Sequence, residues 1–269
     1  MDNIDANIYV IHYKRGTIVK NDGFYKPLMS GNFFAKEKEP YIGDDTHANI
    51  SDKNRYFSEL TGIYWVWKNT HHHITGVCHY RRFFTVHPEP FLYQLKRYLY
   101  PIVGIGKKRF GLIYTKDVEN FKSKILTKKE LLEIFSRYDG VLPQARSLNY
   151  TVEEHYRRYH DIHDLYLLRS ILMEKYPEYL EAFEAVLRGK SLYANNICIL
   201  KNPHYESFME WWFDMIFEFE RRTDMKKYVG YQKRIIGFIA ERLLTVWFKK
   251  NQINCKELQL IYFKSFKSE

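Results

Sequence analysis

The tetrapeptide His79-Tyr80-Arg81-Arg82 follows directly on Ile74–Cys78, a short apolar run that reads as a buried strand. Polar and charged residues at the carboxyl end of an α/β strand occupy the place where such sheets bind ligands. Guanidinium groups bind oxyanions through paired, charge-assisted hydrogen bonds, so two arginines there point to an anionic ligand, for which a phosphate fits best. Adjacent residues on an extended strand point to opposite faces. One of Arg81 and Arg82 is therefore expected to reach the ligand, and the alternative for each is a surface carboxylate. His79 and Tyr80 are either ligand contacts or groups packed behind them.

A second set of polar residues lies upstream. Asp44 and Asp45 stand in a Gly-Asp-Asp-Thr turn, where they either cap the next segment or contact ligand hydroxyls or a metal. Neighbouring carboxylates diverge, so one ion held by both is not expected. In Asn54–Asn69 the residues Phe57, Leu60, Ile63, Tyr64 and Trp67 recur at helical spacing, with Asn54 or Ser51 placed to cap the helix. Glu59 lies among these aromatics, where a carboxylate is costly to bury unpaired, and Arg81 or Arg82 is its expected partner. His12 and Lys14 follow the apolar run Ile8–His12, a predicted first core strand, and are either ligand contacts or solvated loop residues.

Deprotonating a hydroxyl requires a carboxylate or histidine within reach. Asp44, Asp45, His155, Asp164 and Glu241 are the candidates. Glu241 has Arg242 and Arg234 as competing ion-pair partners, and His155 and His160 share a Tyr- and Arg-rich helix that either lines a groove or forms a wet face. Three consecutive histidines, His71 to His73, diverge in a short loop and do not suit one metal ion. The sequence has no Walker A, GxGxxG or GxSxG motif. Trp65, Trp67, Trp211 and Trp212 are expected in the core rather than as stacking platforms.

The frame for these residues is α/β at first and mostly helical later. Thr127–Tyr138 reads as a helix capped by Thr127, and Asp139–Pro143 as the following strand. Val152–Tyr176 and Pro177–Arg188 read as helices, and Tyr193–Leu200 as a strand interrupted by Asn195-Asn196. Pro203–Arg222 and Tyr231–Lys249 read as two long helices. This order predicts one α/β domain with a central mixed sheet and helical additions in the C-terminal half.

The 269 residues carry a formal net charge of +10, spread along the chain and matching no nucleic-acid-binding motif. No apolar run is long enough to span a bilayer, the N-terminus lacks the pattern of a signal peptide, and three separated cysteines make neither a disulfide framework nor a zinc signature. A reduced cytoplasmic setting is expected. The segment Lys256–Lys267 interleaves Leu258, Leu260, Ile261, Phe263 and Phe266 with lysines. It is either a membrane-docking tail or a last element packed on the domain.

Several of these blocks resemble a bacterial family first catalogued as a domain of unknown function and now grouped with capsular, exopolysaccharide and lipopolysaccharide glycosyltransferases. The blocks are GDDTHANIS, NRYFSELTGIYWVWKN, GVCHYRRFF, YDGVLP, HYRRYHDIHDL, NNICIL and RIIGFIAERLLTVW, in the expected order over nearly the whole chain. One departure is Asn195-Asn196-Ile197-Cys198, where the family more often has Asn-Met-Phe-Ile, which weakens the match at Asn196.

The resemblance implies a GT-A-like fold, with residues 1–150 mainly binding a nucleotide sugar and 151–269 mainly helical on the acceptor side. It implies donor-site roles for His12, Lys14, Asn54, Glu59, His79, Tyr80, Arg81, Arg82 and Asn196, and leaves Asp44, Asp45, His155 and Glu241 as catalytic candidates. Enzymes of that fold typically hold a divalent metal with an Asp-x-Asp motif, which this sequence lacks. Arginines at the matching strand end are expected to neutralise the diphosphate without a cofactor, with Mn or Mg as the alternative. The implied reaction transfers a sugar, UDP-linked and for some members galactofuranose, to a surface polysaccharide or lipid-linked oligosaccharide. It would proceed in the cytoplasm or at the inner face of the membrane, with no nucleic-acid partner. A non-catalytic glycan- or nucleotide-binding subunit and a glycan phosphotransferase are the competing readings.

Overall fold

All seven residues of β1 (Ala6–His12) are buried, as a strand covered on both faces requires. Its side chains alternate between two apolar clusters. Ala6, Ile8 and Val10 pack with Ile74, Cys78, Phe83 and Ile261, whereas Tyr9 and Ile11 pack with Phe57, Leu60, Val77 and the long C-terminal helices. The computed structural model describes residues 4–35, 40–92, 94–95, 111–264 and 266.

β1 pairs in parallel with β2 (Tyr25–Met29) and β4 (Ile74–His79), and β2 continues to the short β3 (Ile42–Gly43). Among the described residues, β5 (Arg82–Thr85), β6 (Leu112–Thr115), β7 (Gly140–Pro143), β10 (Cys198–Lys201) and β11 (Cys255–Phe263) complete a mixed nine-stranded sheet. β8 (Arg146–Ser147) and β9 (Ser191–Leu192) form a separate pair. β4 lies against antiparallel β10 over Ile74–Val77 but meets β5 at His79, so its neighbour on that side changes at the end of the strand. The path from β4 through β5, β11, β7 and β10 returns to β4.

One face of the sheet carries α1 (Asn54–Phe57), α2 (Leu60–Asn69), α5 (Val152–Tyr159), α6 (His163–Lys175), α7 (Leu180–Arg188), α8 (Asn202–Arg222) and α9 (Ile235–Asn251). The other carries α3 (Val118–Lys122) and α4 (Lys128–Phe135). Thr127 caps α4 in a reciprocal capping box with Glu130. The four tryptophans are packed as expected: Trp211 and Trp212 are buried, Trp65 donates to Thr46, and Trp67 stacks on Phe213 at 5.5 Å.

Three predicted elements are broken. The helix expected over Asn54–Asn69 stops at Ser58, whose φ of 50° no helix accommodates. Asn54 does not cap its start; its amide bridges the break, donating to the Ser58 carbonyl at 2.8 Å and the Thr61 hydroxyl at 3.0 Å. The helix expected over Val152–Tyr176 is divided between Tyr159 and His163. The strand expected over Tyr193–Leu200 shortens because Asn195 and Asn196 take left-handed conformations, φ 81° and 51°, which asparagine tolerates better than most residues.

The described part of the C-terminal segment is a last strand packed in the domain, and Lys267 lies outside the described residues. β11 lies inside the sheet, with β5 on one side and β6 and β7 on the other. Leu258, Leu260, Ile261 and Phe263 are buried, and Phe266 packs against the same cluster. Apolar groups already removed from water have nothing to gain by entering a lipid interface. No helix among the described residues is long and apolar enough to cross a membrane.

Candidate functional site

The carboxyl ends of β1, β2 and β4 open onto a cavity of about 490 Å³. Tyr13 and Ser30 line it beyond β1 and β2, Asn54, Arg55 and Glu59 at the α1–α2 break, and Arg234 just ahead of α9. His79 to Arg82 form the remaining wall. Tyr80 and Arg81 are the two-residue turn of the β4–β5 hairpin, so Arg82 opens β5 instead of extending β4. The expectation that only one arginine reaches the site is thereby corrected. A chain reversal places both on the cavity wall, where an extended strand would have separated them.

Arg81 donates from Nη1 to the Lys264 carbonyl at 2.9 Å and lies 5.2 Å from the Tyr262 ring centre. Arg82 lies 5.1 Å from the same ring centre and donates from Nη1 to His79 Nδ1 at 2.8 Å, while its buried Nε has no partner among the described residues. Burial, reinforced by the Arg82 and Arg234 charges against the pull of Glu59, pushes the His79 imidazole down to about 3. The ring is therefore neutral at physiological pH. Its Nδ1 accepts from Arg82, which places the proton on Nε2, a buried donor with no acceptor among the described residues. Burial raises the Tyr80 hydroxyl, with the neighbouring Tyr13 hydroxyl adding to the shift.

Glu59 is held by residues other than those expected. Asn196 Nδ2 donates to its Oε1 at 3.0 Å and Arg234 Nη2 lies 3.4 Å from its Oε2, whereas Arg81 and Arg82 pair elsewhere. Burial opposes its ionisation, but the Arg234 charge and the Asn196 amide hold the carboxyl below its ordinary value.

A second cavity of about 360 Å³ adjoins the first, with Glu59, His79, Arg82 and Arg234 lining both. Its far wall holds His155, Tyr159 and His160 from α5 and its end, Tyr231, and Phe238, Glu241 and Arg242 from α9. Glu241 Oε1 accepts from the Asn195 backbone N–H at 2.7 Å, and its Oε2 pairs with the buried Arg242 at 3.2 Å. Burial, with the charges of Arg242 and Arg146, lowers His155, whose buried Nδ1 has no partner among the described residues.

Other predicted residues lie outside these walls. Asp44 is fully buried; its oxygens accept from the Gly31 and Asn32 N–H groups at 2.8 and 2.9 Å and from the Ser51 hydroxyl. It organises the loop after β2 and is closed off from any acceptor. Asp45 accepts from Asn32 Nδ2 at 2.8 Å and lines neither cavity. Asp164 is buried between the Tyr156 and Tyr228 hydroxyls, with burial raising its carboxyl. His12 is buried beneath Tyr41 and Tyr80, with ring centres 4.8 and 5.4 Å away, and burial pushes it down to about 4. Lys14 lines an adjoining hollow of about 440 Å³ with Tyr13, Asn54 and the exposed Phe34. Asn196 is buried behind Glu59, where it also donates to the Gly237 carbonyl at 3.3 Å.

Arg55, Arg234 and Tyr13 join the cavity wall without being expected as ligand contacts from sequence. Arg55 and Tyr13 adjoin Asn54 and His12, whereas Arg234 opens the block RIIGFIAERLLTVW and reaches the cavity through the packing of α9. Among the described residues that line the first cavity Glu59 alone is acidic, against Arg55, Arg81, Arg82 and Arg234. Among the described residues no three His, Cys, Asp or Glu side chains come together as an ion-binding group.

A family model described as a domain of unknown function, DUF4422, matches residues 7–252. No curated protein matches the chain. Among solved structures, the apo structure of the bifunctional glycosyltransferase WbbM superposes with a TM-score of 0.85 at 28% sequence identity, covering 97% of this chain. The chain spans 46% of the WbbM chain, about half its length. The family match takes in every residue that lines the two cavities, and the chain belongs to the DUF4422 family.

Proposed function

We propose that the chain is a glycosyltransferase that binds a nucleoside diphosphate sugar in the first cavity and transfers the sugar to a hydroxyl of a glycan. The observation that carries this reading is the convergence of Arg55, Arg81, Arg82 and Arg234 at the carboxyl ends of β1 and β4. The likeness to a bifunctional glycosyltransferase supports it. Negative charge builds on the diphosphate as the glycosidic bond breaks, and preorganised guanidinium groups stabilise that charge where it develops. The His79 Nε2 proton is an additional donor for the same oxygens. The adjoining hollow with Tyr13, Lys14 and Phe34 has the aromatic and cationic character that suits the nucleotide base and ribose.

In this reading the diphosphate is neutralised by arginine with no metal, the sheet is a GT-A-like nucleotide-sugar fold, and the second cavity receives the acceptor. A UDP-hexose donor, with UDP-galactofuranose first among those to try, and a surface-polysaccharide or lipid-linked acceptor follow from the family resemblance. The cytoplasmic side of the membrane is then the place of reaction. The test is a panel of nucleotide sugars assayed for nucleoside diphosphate release with and without glycan acceptors. Acceptor-dependent release is expected with one donor. Binding without release would indicate a non-catalytic subunit, and transfer of phosphate to the glycan would indicate a phosphotransferase.

A further inference from the structure

The reacting bond in a sugar transfer lies where donor and acceptor meet. Among the described residues four side chains, Glu59, His79, Arg82 and Arg234, line both cavities and so stand at that junction. Three of them cannot take a proton there. Arg82 and Arg234 are cations without a basic lone pair. The lone pair of His79 is on Nδ1, which accepts from Arg82 at 2.8 Å. Glu59 remains.

We infer that Glu59 is the general base of the transfer, taking the proton of an acceptor hydroxyl delivered from the second cavity to the sugar held in the first. The inference rests on the glycosyltransferase reading and assigns a role within it. Glu59 retains the means for the task. Its carboxylate spends one contact on Asn196 at 3.0 Å and one on Arg234 at 3.4 Å, which leaves lone pairs for a hydroxyl. Its side chain is 13% exposed, enough to be reached from the cavity and enclosed enough to hold its orientation. The groups facing it are His79 from β4, Arg82 from β5, Arg234 ahead of α9 and Asn196 ahead of β10; α9 approaches it at Gly237, where an added Cβ would stand 3.7 Å from Oε1, and places Glu241 and Arg242 on the wall of the same cavity. The break at Ser58 turns the chain so that Glu59 enters the cleft instead of the aromatic face of a continuous helix.

The other acidic and basic candidates lack this position. Glu241 and His155 line the second cavity alone, and Glu241 already serves the Asn195 N–H and Arg242. Asp44 and Asp164 are sealed in their own hydrogen-bond sets.

In the step itself the acceptor oxygen forms a bond to the anomeric carbon while the bond from that carbon to the diphosphate oxygen breaks. The breaking bond's electron pair leaves with the nucleoside diphosphate, against Arg82, Arg234 and the His79 Nε2 proton. The acceptor proton passes to Glu59 and is returned to solvent after product departure. Attack opposite the leaving group inverts the anomeric centre. Asn196 is a positioning residue: its amide orients the carboxylate and favours the charged form.

The experiment compares parent, Glu59→Gln and Asn196→Ala in nucleoside diphosphate binding, kcat against pH, and product stereochemistry by NMR. Glu59→Gln is expected to lose roughly 100-fold or more in kcat, the scale of general-base catalysis, while binding nucleoside diphosphate within about three-fold of the parent. Asn196→Ala is expected to remain active with the acidic limb of kcat moved to higher pH, because the lost hydrogen bond favoured the carboxylate. The product of the parent enzyme is expected to show inverted configuration. Retained configuration overturns the inference even if Glu59→Gln does not fold. Turnover by folded Glu59→Gln within ten-fold of the parent, or an unmoved acidic limb in Asn196→Ala, overturns it as well. No turnover by the parent with any donor overturns the glycosyltransferase reading together with the inference, whereas turnover that survives in Glu59→Gln overturns the inference alone.

Discussion

Arg82 Nη1 donates to His79 Nδ1 at 2.8 Å across the Tyr80-Arg81 turn, and this one hydrogen bond sets the character of the cleft wall. It commits the imidazole to the tautomer that presents an Nε2 proton, and it anchors a guanidinium at the mouth of β4. A neutral donor and a fixed cation thus stand side by side where an α/β sheet binds its ligand.

The two arginines of the turn are expected to differ in weight. Arg82→Ala should weaken nucleoside diphosphate binding by roughly 1.5–3 kcal/mol, the scale of a hydrogen bond to a charged group. Arg81→Ala should cost less, because its Nη1 is already engaged by the Lys264 carbonyl on an exposed face. Titration calorimetry on both folded variants checks this. Parent-like affinity in both would place the anion site elsewhere.

Sugar transfer is expected to persist in excess chelator with metal-free reagents, since the described lining of the first cavity sets four arginines around one carboxylate. The measurement is the initial rate with and without EDTA. Complete loss restored by manganese or magnesium would sink the arginine mechanism and bring Asp45 and Glu59 forward as ligands.

Stability is expected to fall as the solution is acidified through the histidine range. His12 is buried neutral, its value pushed from 6.5 down to about 4. Between those values the unfolded chain binds the extra proton, so the contribution is complete above about pH 6.5, declines as pH drops, and is gone by about pH 4. The shift corresponds to about 3 kcal/mol for this residue. His79 and His160, also lowered by burial, act in the same direction. Thermal melts from pH 7 to 4 should show the decline, with a shallower slope in His12→Phe. A slope identical to the parent's would refute the buried-neutral assignment.

Asp44→Asn is expected to destabilise the fold by about 1–3 kcal/mol, because one carboxylate satisfies the Gly31 and Asn32 N–H groups and the Ser51 hydroxyl. The kcat of the folded fraction should stay close to the parent's. Denaturant unfolding and turnover on the same sample separate the two quantities. A parent-like midpoint with collapsed turnover would make Asp44 catalytic after all.

Much of the frame was readable in the chain itself, because period and capping are local properties. The apolar runs of β1 and β4, the Trp-, Phe- and Leu-rich stretches of α8 and α9, and the Thr127 capping box all depend on residues within a few positions of one another. The polar end of β4 likewise marked one wall of the first cavity. Tertiary structure alone decided the rest. Only the folded chain turns Tyr80-Arg81 into a hairpin that brings both arginines to one wall, and only it seats the lysine-flanked C-terminal strand between β5 and its parallel neighbours. The same holds for Glu59, whose partners Asn196 and Arg234 lie 137 and 175 residues away. A carboxylate in an aromatic segment announces that it needs a partner, since burial unpaired is costly. Which partner it receives is fixed by where β10 and α9 dock, and no local pattern encodes that.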